Sequence, residues 1–148
     1  MRGYLGIDTS NYTTSCAIYR AGGVVQQKRL LPVPKGQVGL RQSDAVFSHV
    51  KALGGLMVLL RAQDNQPVSA VGVSRRPRDV EGSYMPCFLT GLMAAETAAA
   101  ACGVPLYTFS HQAGHVAAAL YGAGRLDLID KSFLAFHLSG GTTECLWI

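Results

Sequence analysis

The stretch Tyr4-Leu5-Gly6-Ile7-Asp8-Thr9-Ser10-Asn11-Tyr12-Thr13-Thr14 decides the predicted fold. Residues 4–7 predict a short buried strand, residues 8–14 a polar turn, and residues 15–20 a second strand that closes a hairpin. A break at Ala21-Gly22-Gly23 leads to a third strand at residues 24–31. The 17 glycines among 148 residues also favour turns and close backbone approaches over a helical bundle.

Strands and helices alternate along the rest of the chain. Helices are predicted at residues 43–61, 85–102 and 111–121, strands at 68–74 and 105–109, and a charged loop at 75–84. Ser110 is the expected N-cap of the third helix. This alternation predicts an α/β sheet covered by helices.

A new hairpin is predicted over residues 132–138 and 143–148, around Ser139-Gly140-Gly141-Thr142. We therefore expect a first lobe at residues 1–124 and the start of a second lobe at 125–148. An unpaired apolar strand at the end of a chain invites aggregation. The expectation is a longer natural product, or a missing lobe that a partner supplies.

Composition places few limits on function. The chain is 49% hydrophobic and 15% charged, with a net charge of +4 that fits an anionic ligand, a nucleic acid or an ordinary solvated face. No uninterrupted apolar stretch of about 18 residues predicts a membrane span, and no secretory pattern opens the chain. The four cysteines lie far apart, which favours free thiols over a disulfide framework. We predict a cytoplasmic protein that does not contact a membrane.

His111 and His115 are candidate metal ligands. Positions four apart share one face of a helix, so both imidazoles can reach one ion, such as iron, zinc, nickel or copper. Two unrelated polar residues would give the same spacing. Gln112 stands where the zincin pattern H-E-x-x-H needs a glutamate as general base, which disfavours a metallopeptidase.

Two polar turns are candidate ligand-binding segments. In the turn formed by Asp8, Thr9, Ser10 and Asn11, hydroxyls and backbone amides could cradle a phosphate, and Asp8 could hold a water or a cation. Ser139-Gly140-Gly141-Thr142 would let a ligand approach the backbone. The alternative for each is an ordinary hairpin loop.

Three arginines in four residues, Arg75, Arg76 and Arg78, are candidate phosphate or RNA contacts. The alternative is a solvated loop in which they pair with Asp79 and Glu81.

Three segments, Gly6-Ile7-Asp8-Thr9-Ser10, His111–His115 and Leu138-Ser139-Gly140-Gly141, resemble the TsaD/Kae/Qri family. These are the threonylcarbamoyladenosine tRNA synthases, formerly described as O-sialoglycoprotein endopeptidases. The resemblance covers the first half of that family. It implies an actin/Hsp70/sugar-kinase-like (ribonuclease H-like) lobe with a mixed β-sheet flanked by helices, followed by the first hairpin of a second lobe.

The resemblance also implies a chemistry. His111 and His115 would hold iron, or else zinc, with an aspartate from the second half. His137, Leu138, Ser139, Gly140, Gly141 and Thr142 would line the site for an adenylate or ATP-type nucleotide, here threonylcarbamoyl-adenylate. The implied reaction transfers threonylcarbamoyl to N6 of adenosine 37 in tRNA, with a paralogous subunit or a second copy as partner.

Two positions depart from the family pattern. Tyr12 stands where an aspartate is expected, and Thr142 stands where the family has histidine. These changes leave the catalytic residues unassigned and keep a second reading open, a non-catalytic nucleotide- or metal-binding paralogue or scaffold of the same complex. A small-molecule kinase of this fold is a weaker alternative, because it would hold magnesium through carboxylates.

Overall fold

The computed structural model describes residues 2–33, 36, 39–138 and 143–148. The strands are β1 (Gly3–Ser10), β2 (Thr13–Arg20), β3 (Gly23–Leu30), β4 (Ala70–Arg76), β5 (Leu106–Ser110), β6 (Leu134–Leu138) and β7 (Thr143–Trp147). The helices are α1 (Gln42–Gln63), α2 (Phe88–Cys102) and α3 (His111–Gly122), with a 3-10 turn at Leu126–Leu128. The predicted order of strands and helices is confirmed.

The chain divides into two compact units, Met1–His111 and Gln112–Ile148. The division falls at the start of α3, whereas the sequence predicted a boundary after residue 124.

A mixed five-stranded sheet forms the first unit, in the order β3-β2-β1-β4-β5. The first three strands pair antiparallel as two hairpins, and β1, β4 and β5 pair parallel. Parallel neighbours need crossover connections, which α1 and α2 supply. α1 packs on β2 and β3, and α2 packs on β1 and β4.

The core of the first unit lies between the sheet and these two helices. Alternate side chains of a strand point to one face, so Leu5 and Ile7 of β1 are buried while Tyr4 is exposed. The core cluster comprises Leu5, Ile7, Cys16, Ile18, Val71 and Val73 from the strands, Leu53, Leu56 and Leu60 from α1, and Ala95 and Ala99 from α2.

The polar run at residues 8–14 is mostly strand. Only Asn11 and Tyr12 form the turn, because β1 and β2 extend into the run from both sides. The prediction of a longer polar turn was wrong because Thr9 and Thr14 are fully buried in the strands and bind partners inside the fold. A polar side chain that keeps a hydrogen bond can occupy an inward strand position.

Two further boundaries differ from the prediction. β4 continues through Arg75 and Arg76, so these arginines end a strand instead of starting a loop. Ser110 is the last residue of β5, and its hydroxyl donates to Asp79 at 2.6 Å.

α1 is the one helix in the described ranges that is long and apolar enough to cross a membrane by length and composition. An 18-residue window of it has a mean hydropathy of 1.4. This is weak evidence, because the core helix of a soluble protein passes the same test. Leu53, Leu56 and Leu60 on its inner face belong to the core cluster, so α1 serves as a core helix of the first unit.

The second unit contains the rest of α3, the 3-10 turn and the β6–β7 hairpin. Leu134 pairs with Trp147 and Phe136 with Cys145, and all four side chains are exposed on one face of the hairpin.

Candidate functional site

Asp8 and His111 form a hydrogen-bonded pair. Nδ1 of His111 lies 2.8 Å from Oδ2 of Asp8, and both side chains are partly buried. Asp8 lies near the carboxyl end of β1, and His111 follows β5 directly. Open α/β sheets present their ligand-binding groups at the carboxyl ends of the parallel strands. The pair therefore marks this edge of the sheet as the candidate site of the first unit.

The Asp8 carboxylate is held in its ionised form. Burial by itself raises the pKa, but the hydrogen bond and charge of His111, together with hydrogen bonds from Ser74 and the Ser10 backbone, lower the pKa to about 2. Oδ1 accepts the Ser10 N–H at 2.9 Å. An ionised carboxylate accepts from Nδ1–H, which fixes the tautomer and the orientation of the imidazole. The arrangement can therefore aim His111 at a ligand.

Thr9 has a structural role. Its Oγ1 donates to the Cys87 carbonyl at 2.9 Å and accepts the Gly91 N–H at 3.1 Å, and the residue is fully buried. These two bonds attach the start of α2 to β1. The Thr9 hydroxyl is thus engaged inside the fold, and the phosphate contact predicted at Thr9 stays a prediction.

The turn at Asn11 and Tyr12 is tied to α1. Asn11 accepts from Gln42 at 2.9 Å, and Gln42 in turn accepts the Cys87 N–H at 3.3 Å. Tyr12 is 44% exposed, so it is partly open to solvent. A role for Ser10 and Asn11 in binding phosphate stays a prediction.

A buried histidine that the sequence did not single out lies next to this turn. His49 of α1 is fully buried, and its Nδ1 lies 2.8 Å from the Thr14 hydroxyl. Burial lowers its pKa below the usual value, against smaller raising effects of the Ser10 backbone and Asp8. The sequence feature that could have identified His49 is a single histidine among the apolar residues on the inner face of a helix.

The arginine-rich segment is partly paired. Arg76 binds Oδ1 of Asp79 at 2.7 Å, and Ser110 binds the other carboxylate oxygen. The Ser110 hydrogen bond and then Arg76 lower the pKa of Asp79. For Arg76 the geometry supports the pairing alternative, whereas exposed Arg75 and Arg78 stay candidate phosphate or RNA contacts.

Four polar side chains meet in the second unit. His137 and Glu144 are direct cross-strand neighbours, with Nδ1 and Oε2 3.6 Å apart. Gln112 donates to the same Glu144 oxygen at 2.7 Å, and the His115 ring stacks on that of His137 with centroids 5.5 Å apart. The sequence did not single out Glu144, whose partner Gln112 is 32 positions away.

Both predicted metal ligands contact other side chains. His111 contacts Asp8 and Phe88, and His115 contacts His137. Within the described ranges, no three His, Cys, Asp or Glu side chains stand close enough, as arranged, to hold an ion. Imidazole and carboxylate donors do suit a divalent transition metal. A metal in this chain stays a prediction.

Of the predicted nucleotide-binding residues, Ser139, Gly140, Gly141 and Thr142 lie outside the described residues. Leu138 is 72% exposed and His137 is half-buried.

No family model matches this chain. Among solved structures it is similar to YeaZ from Pseudomonas aeruginosa, at 17% identity and a TM-score of 0.62. The match covers 99% of this chain and 65% of that YeaZ chain. A second Pseudomonas aeruginosa structure, of an uncharacterized protein with similarity to peptidase YEAZ, gives the same identity and TM-score and is covered over 64% of its length.

This likeness establishes the fold. The mixed sheet with flanking helices is the actin-like fold of the YeaZ structures, which confirms the predicted fold class. The chain spans about two thirds of the length of the structures it matches.

Proposed function

We propose that this chain is a non-catalytic subunit of the machinery that makes N6-threonylcarbamoyladenosine in tRNA, and that it acts by binding the catalytic paralogue. YeaZ is a paralogue of the TsaD/Kae family and a partner in that tRNA modification complex. The observation that carries the proposal is the shared fold over 99% of this chain. The sequence resemblance to the TsaD/Kae/Qri family points to the same process.

The outward face of α1 supplies a surface for such a partner. Phe47, Val50, Gly54 and Val58 recur at helical spacing opposite the buried face of the helix, and we call them the α1 stripe. Phe47 is 62% exposed and Val58 is 70% exposed. A Cβ added at Gly54 would meet nothing within 4 Å, so a partner helix has room to approach closely. Clustered exposed apolar side chains mark protein–protein interaction sites.

Two features favour a subunit that supports catalysis over one that performs it. Tyr12 replaces the aspartate that the family pattern has in this turn, and Thr9 uses its hydroxyl to hold α2 on the sheet. At this edge of the sheet the Thr9 hydroxyl is thus committed to contacts within the fold.

Direct catalysis of threonylcarbamoyl transfer is the second candidate, and one observation favours it. Asp8 orients the His111 ring at the edge of the sheet where ligands bind. A metal at the histidines of α3 would polarise the acyl carbonyl as a Lewis acid. In that case the chain would modify tRNA without a paralogue.

Reconstitution separates the two candidates. The chain and the TsaD-type subunit of the same organism are purified separately and together, then incubated with threonylcarbamoyl-adenylate and unmodified tRNA. We expect a stable complex by light scattering, modified adenosine only when the paralogue is present, and more of it when the chain is added. Product from the chain alone would overturn the proposal in favour of the transferase.

A matched pair of substitutions tests the α1 stripe. Val58→Asp should prevent the complex from forming and remove the stimulation, because an unpaired charge would be buried against the partner. Val80→Asp places the same charge on an exposed valine outside the stripe and should leave the complex intact. Equal binding by both variants, or no complex with the unaltered chain, would contradict the docking role.

A further inference from the structure

An open groove of about 540 Å³ lies on the outer face of the five-stranded sheet, opposite the face that packs against α1 and α2. Four aromatic side chains line it: Tyr4 of β1, Tyr19 of β2, and Tyr107 and Phe109 of β5. Tyr4, Tyr107 and Phe109 are 42%, 55% and 53% exposed. Exposed apolar patches that form a concave surface mark binding sites.

The floor of the groove consists of small residues. Gly6 pairs with Ala17 on β2 and with Gly72 on β4, so three small residues form one row across the sheet. The nearest atom to a Cβ built on Gly6 is the Ala17 carbonyl oxygen, 3.9 Å away, so a ligand can approach the backbone there. β4 separates β1 from β5, which sets the backbones of these two strands roughly 9.5 Å apart. A flat group can therefore enter between the rings of β1 and those of β5.

The rings are arranged as stacking surfaces. Tyr4 and Tyr19 stack on one another, with centroids 6.4 Å apart and planes inclined by 29°. On the other side of the groove the Phe109 ring leans over the floor, 3.5 Å from a Cβ built on Gly72. Unpaired nucleobases stack on aromatic side chains that a β-sheet exposes on its face, and such stacking tolerates any base.

Cationic side chains accompany the aromatic groove. Alternate residues of a strand share a face, so Lys28 of β3 lies on the same face of the sheet as Val24, which lines the groove. Arg2 directly precedes β1, and both cations are exposed. The chain as a whole carries a net charge of +4. Lysine and arginine neutralise the phosphates of a nucleic acid. An apolar protein helix would cover the rings without using these charges, so the combination favours a nucleic acid.

We propose that this groove binds single-stranded RNA, with bases stacked on the rings of Tyr4 and Tyr107 and a backbone phosphate at Lys28. The hydroxyls of the two tyrosines can bond to ribose 2′-hydroxyls, the groups by which a protein distinguishes RNA from DNA. The inference goes beyond the proposed function and does not depend on it. The groove lies on the sheet face opposite α1, and RNA binding is measured with this chain alone.

Fluorescence anisotropy with a fluorescein-labelled, unstructured RNA of about 12 nucleotides tests the proposal. We expect Tyr4→Ala and Tyr107→Ala each to weaken binding at least ~5-fold, because each removes a surface on which a base stacks. Gly6→Val keeps every ring but fills the floor, and it should also weaken binding. Lys28→Gln should reduce the slope of log affinity against log salt concentration by about 0.7, the effect of one lost phosphate contact.

Matched variants make the result decisive. Tyr107→Phe keeps the ring, so it should retain the stacking and lose part of the preference for RNA over DNA of the same sequence. Tyr84→Ala removes an exposed tyrosine outside the groove and should bind RNA like the unaltered chain. Circular dichroism of each variant checks that it is folded.

Three outcomes would overturn the proposal. Equal affinity of the unaltered chain for single-stranded DNA would overturn the assignment to RNA. Unchanged binding by both Tyr4→Ala and Tyr107→Ala would place the RNA on another surface, such as the arginine-rich segment. No RNA binding by the folded, unaltered chain would leave the groove as a face for a protein partner.

Discussion

Nδ1 of His111 and Oδ2 of Asp8, 103 positions apart in the sequence, lie 2.8 Å from one another at the carboxyl ends of the parallel strands. Ser74, on the strand between β1 and β5, also bonds to Asp8. Each of the three parallel strands thus sends one polar group to the same edge. The antiparallel strands do not share this arrangement, because their ends alternate in direction. The parallel half of the sheet is therefore what creates the site.

The depressed pKa of Asp8 predicts a specific loss of stability in acid. The carboxylate titrates near pH 2 in the folded chain and near 3.8 when unfolded. Its contribution is present above pH 4 and disappears as the pH falls towards 2, with a size on the order of 2 kcal/mol. Asp8→Asn should therefore unfold at lower urea concentration at pH 7, and its stability should fall less between pH 4 and 2. Parallel pH profiles for both proteins would contradict the assignment.

Local pattern was enough to predict the architecture. The apolar spacing in residues 43–61 predicted α1, and the glycine and polar breaks predicted the hairpins, because both signals arise within a few residues. What the pattern missed is the interior position of Thr9. Its hydroxyl is satisfied by Cys87, 78 positions away. A run of polar residues looks like a loop when the partners that permit its burial are remote.

The candidate site was predicted as separate parts. Asp8 was assigned to a phosphate turn and His111 to a metal, whereas the structure joins them. Glu144 received no role because nothing near it in the sequence marks a carboxylate opposite His137. Sequence spacing detects residues that share a helix face but not residues brought together by strand register.

A side chain at Gly91 would clash with a neighbouring residue, whereas a side chain at Gly54 would not. A Cβ at Gly91 would lie 2.8 Å from Oγ1 of Thr9, which already accepts the Gly91 N–H. Gly91→Ala must displace β1 or α2 and should lower the free energy of unfolding by ~1–3 kcal/mol. At Gly54 the added methyl meets nothing within 4 Å, so Gly54→Ala should raise it by about 1 kcal/mol.

Urea denaturation of the two alanine variants checks this contrast. Both substitutions add the same methyl group to a helix. Opposite changes in the free energy of unfolding would therefore show the effect of the contact with Thr9. Stabilisation by Gly91→Ala would show that α2 does not lie this close to β1.

His49 predicts a second pH effect nearer neutrality. Burial lowers its pKa below the usual value, so the unfolded chain binds the proton more readily and stability decreases as the pH falls below ~6.5. His49→Gln can keep a hydrogen bond to Thr14 but does not titrate, so its stability should change less between pH 7 and 5. His49→Leu should cost ~1–3 kcal/mol at pH 7, because the buried Thr14 hydroxyl loses its partner. Thermal unfolding at both pH values measures each effect, and an unchanged slope for His49→Gln would refute the assignment.

Asp79 should protect the arginine-rich segment from proteolysis. Its carboxylate joins Arg76 at the end of β4 to Ser110 at the end of β5, which anchors the loop that carries Arg78. Removing this anchor increases local opening, the step that exposes backbone to a protease. Asp79→Ala should therefore be cut by chymotrypsin after Tyr84, an exposed residue of the same loop, several-fold faster than the unaltered chain, as measured by mass spectrometry over time. Asp130→Ala, which removes an exposed aspartate of the second unit, is the control and should be cut at the unaltered rate. Equal cleavage of the Asp79 variant would show that the loop is held by other contacts.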